Sequence, residues 1–431
     1  MNDMANTAEF DRPRLGAFDR FLRRQLLRQL RSLRHGRLLL VDEGGQLEFG
    51  QAAASSPDLQ IRMEILHPAF YRAVAAHGSV GAGEAYADGL WRCDDLVGLA
   101  QLMVRNRDVL DGMESGIARL GGMAMRAWHA LRRNTRGGSR RNIAAHYDLG
   151  NDFFALFLSS DLMYSSAIRM GESDTPETAS TRKIERICRK LDLKPADRVI
   201  EIGTGWGGFA LYAARHYGCH VTTTTISREQ HALCSERVLA EGLGAHVDLL
   251  LEDYRDLRGQ YDKLVSIEMV EAIGAPNLDS YFSQIGALLR PDGLALVQAI
   301  TIEDHRYAQA LKSVDYIKRH LFPGSFIPSI NALLASKTRA SDLALTHLED
   351  FGHSYALTLK AWREYFMAHL PKARARGFGE HLIRQWEFYL AYCEGGFRER
   401  ATGVAQLLLA KPGNRRAPLL PEIEGAERIS A

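Results

Sequence analysis

Residues Val199 to Ala210 read VIEIGTGWGGFA, and this stretch decides the fold. Val199, Ile200 and Ile202 form a short apolar strand that carries Glu201 near its end and then breaks into Gly203, Gly205, Gly207 and Gly208. Glycines so placed allow positive φ and let the backbone approach a ligand that any Cβ would push away. Phe209 to Tyr217 is helix-like, so the loop joins a strand's carboxyl end to a helix's amino end. In open α/β sheets nucleotide-like ligands bind there. Glycine spacing alone is shared by several α/β families, so the following strands must separate them.

A dinucleotide fold would place an acid for the ribose after the next strand. HVTTTTI (220–226) is followed instead by Ser227 and Gln230, with Thr225 at its own end. HVDLLLED then ends at Asp253-Tyr254, and YDKLVSIEMVE ends at Glu271. This order resembles a class I S-adenosylmethionine (SAM)-dependent methyltransferase. The resemblance gives Glu201, Gly203 and Gly205 to the methionine part of SAM, Thr225 and Gln230 to the ribose side, and Asp253 and Tyr254 to the adenine. A tight strand-to-helix turn without a ligand is the plainer alternative; four glycines with two acids at matching strand ends weigh against it.

A chain of 431 residues has room for two domains. Its 46% hydrophobic and 25% charged residues are those of a globular protein with a sizeable core. A net charge of +2 gives no reason to expect nucleic acid. No apolar run is long enough for a bilayer, and no signal-peptide core follows the arginine-rich amino terminus. The 5 cysteines are scattered without a CxxC, which favours a reducing cytoplasm over a disulfide frame or a structural metal.

Four segments are expected in order. Residues 1–35 hold a basic amphipathic helix, FDRFLRRQLLRQLRSL, suited either to an anionic lipid surface or to ordinary domain packing. Residues 36–125 form a small α+β domain with a hairpin at GRLLLVDEGGQLEFG, a third strand at DLQIRMEIL and a helix, turn and helix after it. Its His67, His77 and Glu84 read as structural. Residues 126–142 form a basic linker, and 143–431 the α/β domain, with a helical insertion after about residue 303.

The chain also resembles the cyclopropane-fatty-acyl-phospholipid synthase family and the related mycolic acid cyclopropane synthases. FYRAVAAHGSVGAGEAYADGLWRCDD, AAHYDLGNDFFALFLSSDLMYSSA, VIEIGTGWGGFA, EDYRDLRGQYDKLVSIEMVEAIG, LFPGSFIPS, FGHSYALTLKAW and FYLAYCEGGFRER carry the likeness. It implies a seven-stranded Rossmann-like sheet with a helical insertion, preceded by a lipid-binding α+β domain. Tyr164 and Ser165 would close over the cofactor. Family members hold a bicarbonate ion as active-site base, and the matching positions here are Ser166, Glu271, Gln298, Ile300 and Tyr355. Serine and glutamine stand where the family has cysteine and histidine, and Ala272 replaces a further histidine. Tyr316, Phe322 and Phe326 match the acyl channel, His146 and Tyr147 the cofactor lid, and Cys393 a family cysteine that reads as inert packing.

An isolated alkene is a poor nucleophile and needs a strong methyl electrophile. The cation that forms must then lose a proton, and a preplaced anion serves both as base and as electrostatic partner. The expected activity is transfer of the SAM methyl carbon to the double bond of unsaturated phospholipid acyl chains, giving cyclopropane fatty acids. The alternatives are methylated unsaturated chains and, from another class, a non-catalytic lipid-binding protein. The resemblance further implies a cytoplasmic enzyme, peripheral at the inner membrane face, and leaves a homodimer open.

Overall fold

The computed structural model describes residues 13–51, 59–113, 138, 149–169, 174–417 and 419. The expected linker at 126–142, apart from residue 138, lies outside these, as do His146 and Tyr147. Two compact units emerge, and neither is continuous in sequence: the first takes its described residues from 1–133, 308–323 and 356–402, the second from 134–307, 324–355 and 403–431.

The first unit holds a sheet of order β2-β1-β3-β4, from β1 (Gly36–Asp42), β2 (Gly45–Gln51), β3 (Gln60–Ile65) and β4 (Trp91–Cys93). β1 and β2 are the expected hairpin, while β3 runs parallel to β1. The expected helix, turn and helix is one element, Ala69–Ala87, kinked at Gly78, whose φ of 59° and ψ of −130° no helix accepts. Glu84 bonds His77 and His320; burial pushes its carboxyl up, but the two imidazoles outweigh this and hold it down at about 2.

The amino-terminal helix, Ala17–Leu30, is part of this core rather than a separate segment. Leu22, Leu26 and Leu30 are buried in it, each on the order of 1.5–3 kcal/mol. That exceeds the roughly 1 kcal/mol an arginine gains near an anionic surface, so the leucine stripe faces the protein. Arg23 pairs with Asp42, and Asp19 with Arg72.

The second unit is built on a seven-stranded sheet of order β10-β11-β9-β8-β5-β6-β7. Its strands are β5 (Arg198–Ile202), β6 (His220–Thr224), β7 (Val247–Leu250), β8 (Tyr261–Ile267), β9 (Leu289–Ile302), β10 (Ala344–Asp350) and β11 (Thr402–Ala410). β5 to β9 pair in parallel, and β11 pairs antiparallel with β10. Their cores read as continuous apolar runs because both faces are covered. The chain winds outward through β6 and β7 and then crosses back to β8. The carboxyl ends of β5 and β8 therefore flank a topological switch point, the preferred ligand position of such sheets. The helical insertion expected after residue 303 appears as Asp304–Lys312, Tyr316–His320 and Ile330–Ala340.

Candidate active site

At the end of β5 the glycine loop turns through left-handed backbone, with φ of +102° at Gly203, +53° at Gly205 and +90° at Gly207. A Cβ on Gly203 would approach the Met269 side chain to 3.0 Å, and one on Gly207 the Cys234 sulfur to 2.7 Å. A Cβ on Gly205 would meet nothing within 4 Å. Gly205 thus forms the open floor of the loop, and a bound group can lie against its backbone. This cradle fits the methionine part of SAM.

The other expected cofactor residues gather around the same strand ends. Glu201 is buried and accepts a 2.6 Å hydrogen bond from the Thr223 hydroxyl; burial pushes its carboxyl up to about 8. Thr225 donates to Gln230 Oε1 at 2.8 Å, and Ser227 caps the helix Arg228–Ala240 that carries Gln230. Asp253 caps the turn Tyr254–Asp256 and takes a two-pronged bond from its neighbour Arg255. The Tyr254 ring packs edge-on against Tyr281. The Tyr164 ring packs tilted against Phe154 with centroids 5.3 Å apart, and Ser165 accepts from the buried Lys183 at 2.7 Å.

The expected anion ligands do converge, but on a carboxylate absent from that set. Glu268 follows β8 directly. Its Oε1 accepts from the Ser166 backbone N–H at 2.8 Å and from Gln298 Nε2 at 2.7 Å, and its Oε2 accepts from the Tyr355 hydroxyl at 3.0 Å. The Ser166 hydroxyl turns away to the Ala167 carbonyl. Glu271, three residues on, takes the Ile300 N–H on Oε1, and its Oε2 is buried without a hydrogen-bond partner among the described residues. The bicarbonate ion implied by the resemblance does not fit: its three donors at Ser166, Gln298 and Tyr355 already hold a side chain.

The two half-buried glutamates cannot both ionise easily. Burial and then the Glu268 charge push Glu271 up to about 8. Burial also raises Glu268, but three donors and the Lys183 ammonium favour its anion. Glu268 receives three donors and Glu271 one, so of the two Glu268 holds a negative charge the more readily. Burial in turn lowers Lys183 to about 8.

Glu268 and Lys183 escape a reading of the sequence alone, although each leaves a trace. In SIEMVEAIG two glutamates stand three apart after an apolar strand. Lys183 falls in the buried stripe Ala179, Ile187 and Leu191 of the helix Pro176–Leu191. The expected channel aromatics are divided between the two units. Tyr316 packs on Phe388 and Phe322 near Tyr389 in the first unit, while Phe326 lies in the second unit's core. The family cysteine, Cys393, has its thiol pushed up by burial, as an inert packing residue would.

A model of the mycolic acid cyclopropane synthetase family matches residues 134–407. The tuberculostearic acid methyltransferase of Mycobacterium tuberculosis is 35% identical over 424 residues, covering 94% of this chain and 95% of its own. The cyclopropane-fatty-acyl-phospholipid synthase of Escherichia coli is 35% identical over 364 residues, covering 84% and 90%. A crystal structure of a mycolic acid cyclopropane synthase complexed with SAH and CTAB superposes with a TM-score of 0.59 at 28% identity, covering 63% of this chain and 98% of that one. The matched span takes in the glycine loop, both glutamates and Tyr355, and the chain belongs to the mycolic acid cyclopropane synthetase family.

Proposed function

We propose that this enzyme transfers the methyl carbon of SAM to the double bond of an unsaturated phospholipid acyl chain and closes a cyclopropane ring. The observation that carries the reading is the open floor at Gly205 on the same sheet edge as the Glu268–Glu271 pair, in a chain whose relatives are named for lipid alkylation. When bound, SAM supplies a sulfonium methyl electrophilic enough for an isolated alkene. Gly203 and Gly205 give its methionine part room, with Glu201 behind them in the sheet. Tyr164 and Ser165 would close over it, Thr225 and Gln230 would hold the ribose, and Asp253 and Tyr254 would border the adenine. Ser166, Gln298, Ile300, Tyr355 and Glu271 fix the charge and hydrogen bonding at the reacting end.

A methylated unsaturated chain is the second product to test for, favoured by serine and glutamine at positions 166 and 298. The altered surroundings of the base can change which proton leaves. Mass spectrometry and NMR of lipids from cells expressing the protein decide this: cyclopropane protons support the first product, and a branched methyl on an alkene the second. Unchanged lipids, with purified enzyme also inactive on unsaturated phospholipid, would refute both.

The same reading places the enzyme in the cytoplasm, at an anionic membrane surface. No described helix is long and apolar enough to cross a membrane. Phe18 and Phe21 are exposed on the amino-terminal helix beside Arg20, Arg24, Arg28 and Arg31. Replacing Arg24, Arg28 and Arg31 by glutamine should weaken binding to anionic vesicles by about 1 kcal/mol per arginine. The effect should fade at high salt. Equal vesicle sedimentation of both proteins at low salt would remove this helix from the membrane.

A further inference from the structure

Resting on the proposed methyl transfer, we propose that Glu268 is the resident anion and catalytic base of this site, in the place where a bicarbonate ion would otherwise be held. The first ground is occupancy. Donors from three distant parts of the chain, Ser166 N–H, Gln298 Nε2 and Tyr355 Oη, meet on its two carboxylate oxygens at 2.7–3.0 Å. A second anion there would have to displace a covalently tethered one and would add repulsion to the Glu268–Glu271 pair.

The second ground is backbone conformation. Glu268 has φ of 49°, in the left-handed region that favours glycine. A long side chain is retained at a position where glycine would be less strained, and such outliers cluster at functional sites. The backbone is tied down from the neighbouring strand, because the Glu268 N–H donates to the Gln298 carbonyl at 2.8 Å.

The third ground is how the amide is aimed. Lys190 Nζ donates to Gln406 Oε1 at 2.8 Å, Gln406 Nε2 donates to Gln298 Oε1 at 3.0 Å, and Gln298 Nε2 then points at Glu268. An ammonium has donors only, so it fixes the direction of both amides. The relay ends by presenting N–H to a Glu268 oxygen, which favours its carboxylate form. Lys190 and Gln406 are positioning residues in this arrangement.

The alkene's π pair forms the bond to the methyl carbon, the C–S pair stays on sulfur, and the cation left on the acyl chain loses one proton from the delivered methyl, whose C–H pair closes the ring. That proton passes to a Glu268 oxygen, giving a neutral carboxylic acid that later returns it to water. Glu268 Oε2 takes a single donor, from Tyr355, so that oxygen keeps a lone pair for the incoming proton while the donors stay fixed.

The test uses the full chain in buffer freed of carbon dioxide. Wild-type turnover on unsaturated phospholipid vesicles should change less than about twofold on adding bicarbonate, whereas Glu268→Gln should lower it about 10²–10⁴-fold with SAM affinity kept. Glu268→Gly empties the donors and relaxes the backbone; added bicarbonate should restore its turnover at least about tenfold. Independently of turnover, ¹³C-bicarbonate NMR should show saturable binding to Glu268→Gly and none to wild type. Wild type that needs or binds bicarbonate, Glu268→Gln with normal turnover, or a SAM-binding Glu268→Gly that takes up no bicarbonate would each overturn the proposal. Wild type inactive on every unsaturated phospholipid would refute the function instead, and the NMR contrast would still decide what occupies the donors.

Discussion

The carboxyl ends of β5 and β8 each carry a glutamate, and the two behave differently. Glu201 sits within β5, fully buried, with its carboxyl bonded by one threonine hydroxyl. Glu268 sits just past β8 in left-handed backbone and gathers three donors. Burial raises the pKa of both, so burial alone does not separate them. Donor count does. The β5 end presents open backbone at Gly205 and suits a bound cofactor, whereas the β8 end presents a fixed negative charge and suits a reacting cation.

The contrast breaks most sharply if the open floor is filled. Gly205→Val puts a branched side chain into that space and at φ of +53°, where strain alone is roughly 1–3 kcal/mol. SAM affinity should fall at least about 100-fold in calorimetry, because the side chain occupies the space the bound group needs and each 1.4 kcal/mol lost is tenfold. Wild-type affinity would show that the cofactor does not use this loop.

Removing one donor tests the other end. Tyr355→Phe leaves Glu268 with two donors and should lower kcat about tenfold, in line with a lost hydrogen bond to a charged group. Its carboxyl should become harder to ionise, so the acid limb of the pH–rate profile should move to higher pH. A fall in kcat with the limb unmoved would assign Tyr355 to packing or substrate contact.

The smallest effect on turnover is expected at Glu271. A carboxamide is close in shape to the protonated acid that burial favours there, so Glu271→Gln should cost about tenfold or less, far below Glu268→Gln. Its signature is stability. A carboxyl raised from 4.5 to about 8 in the folded protein contributes stability that is fully present below 4.5 and lost as pH rises towards 8. Glu201 acts in the same direction. Wild-type Tm should therefore decline over that window, and Glu271→Gln should flatten part of the decline. Equal slopes, or a Glu271→Gln enzyme as impaired as Glu268→Gln, would reverse the roles given to the two glutamates.

The β5 end was legible in the sequence because its parts are local. Strand, glycines and helix follow one another within twelve residues, and φ above zero is available there only to glycines. The succession of strands, the insertion after residue 303 and the gathering of Ser166, Gln298, Ile300 and Tyr355 were also open to reading, through hydrophobic runs and through resemblance. What these donors hold was not. Glu268 and Glu271 are equivalent in a strand-end pattern, and both lie within reach of the same loop. The choice depends on the backbone angle at 268, on the β8–β9 register that sets Ile267 opposite Gln298, and on donors up to 102 residues distant. Those contacts exist only once the sheet has closed. The sequence determined that an anion-binding set of side chains would stand beside a cofactor loop; tertiary structure decided that the anion is the protein's own carboxylate.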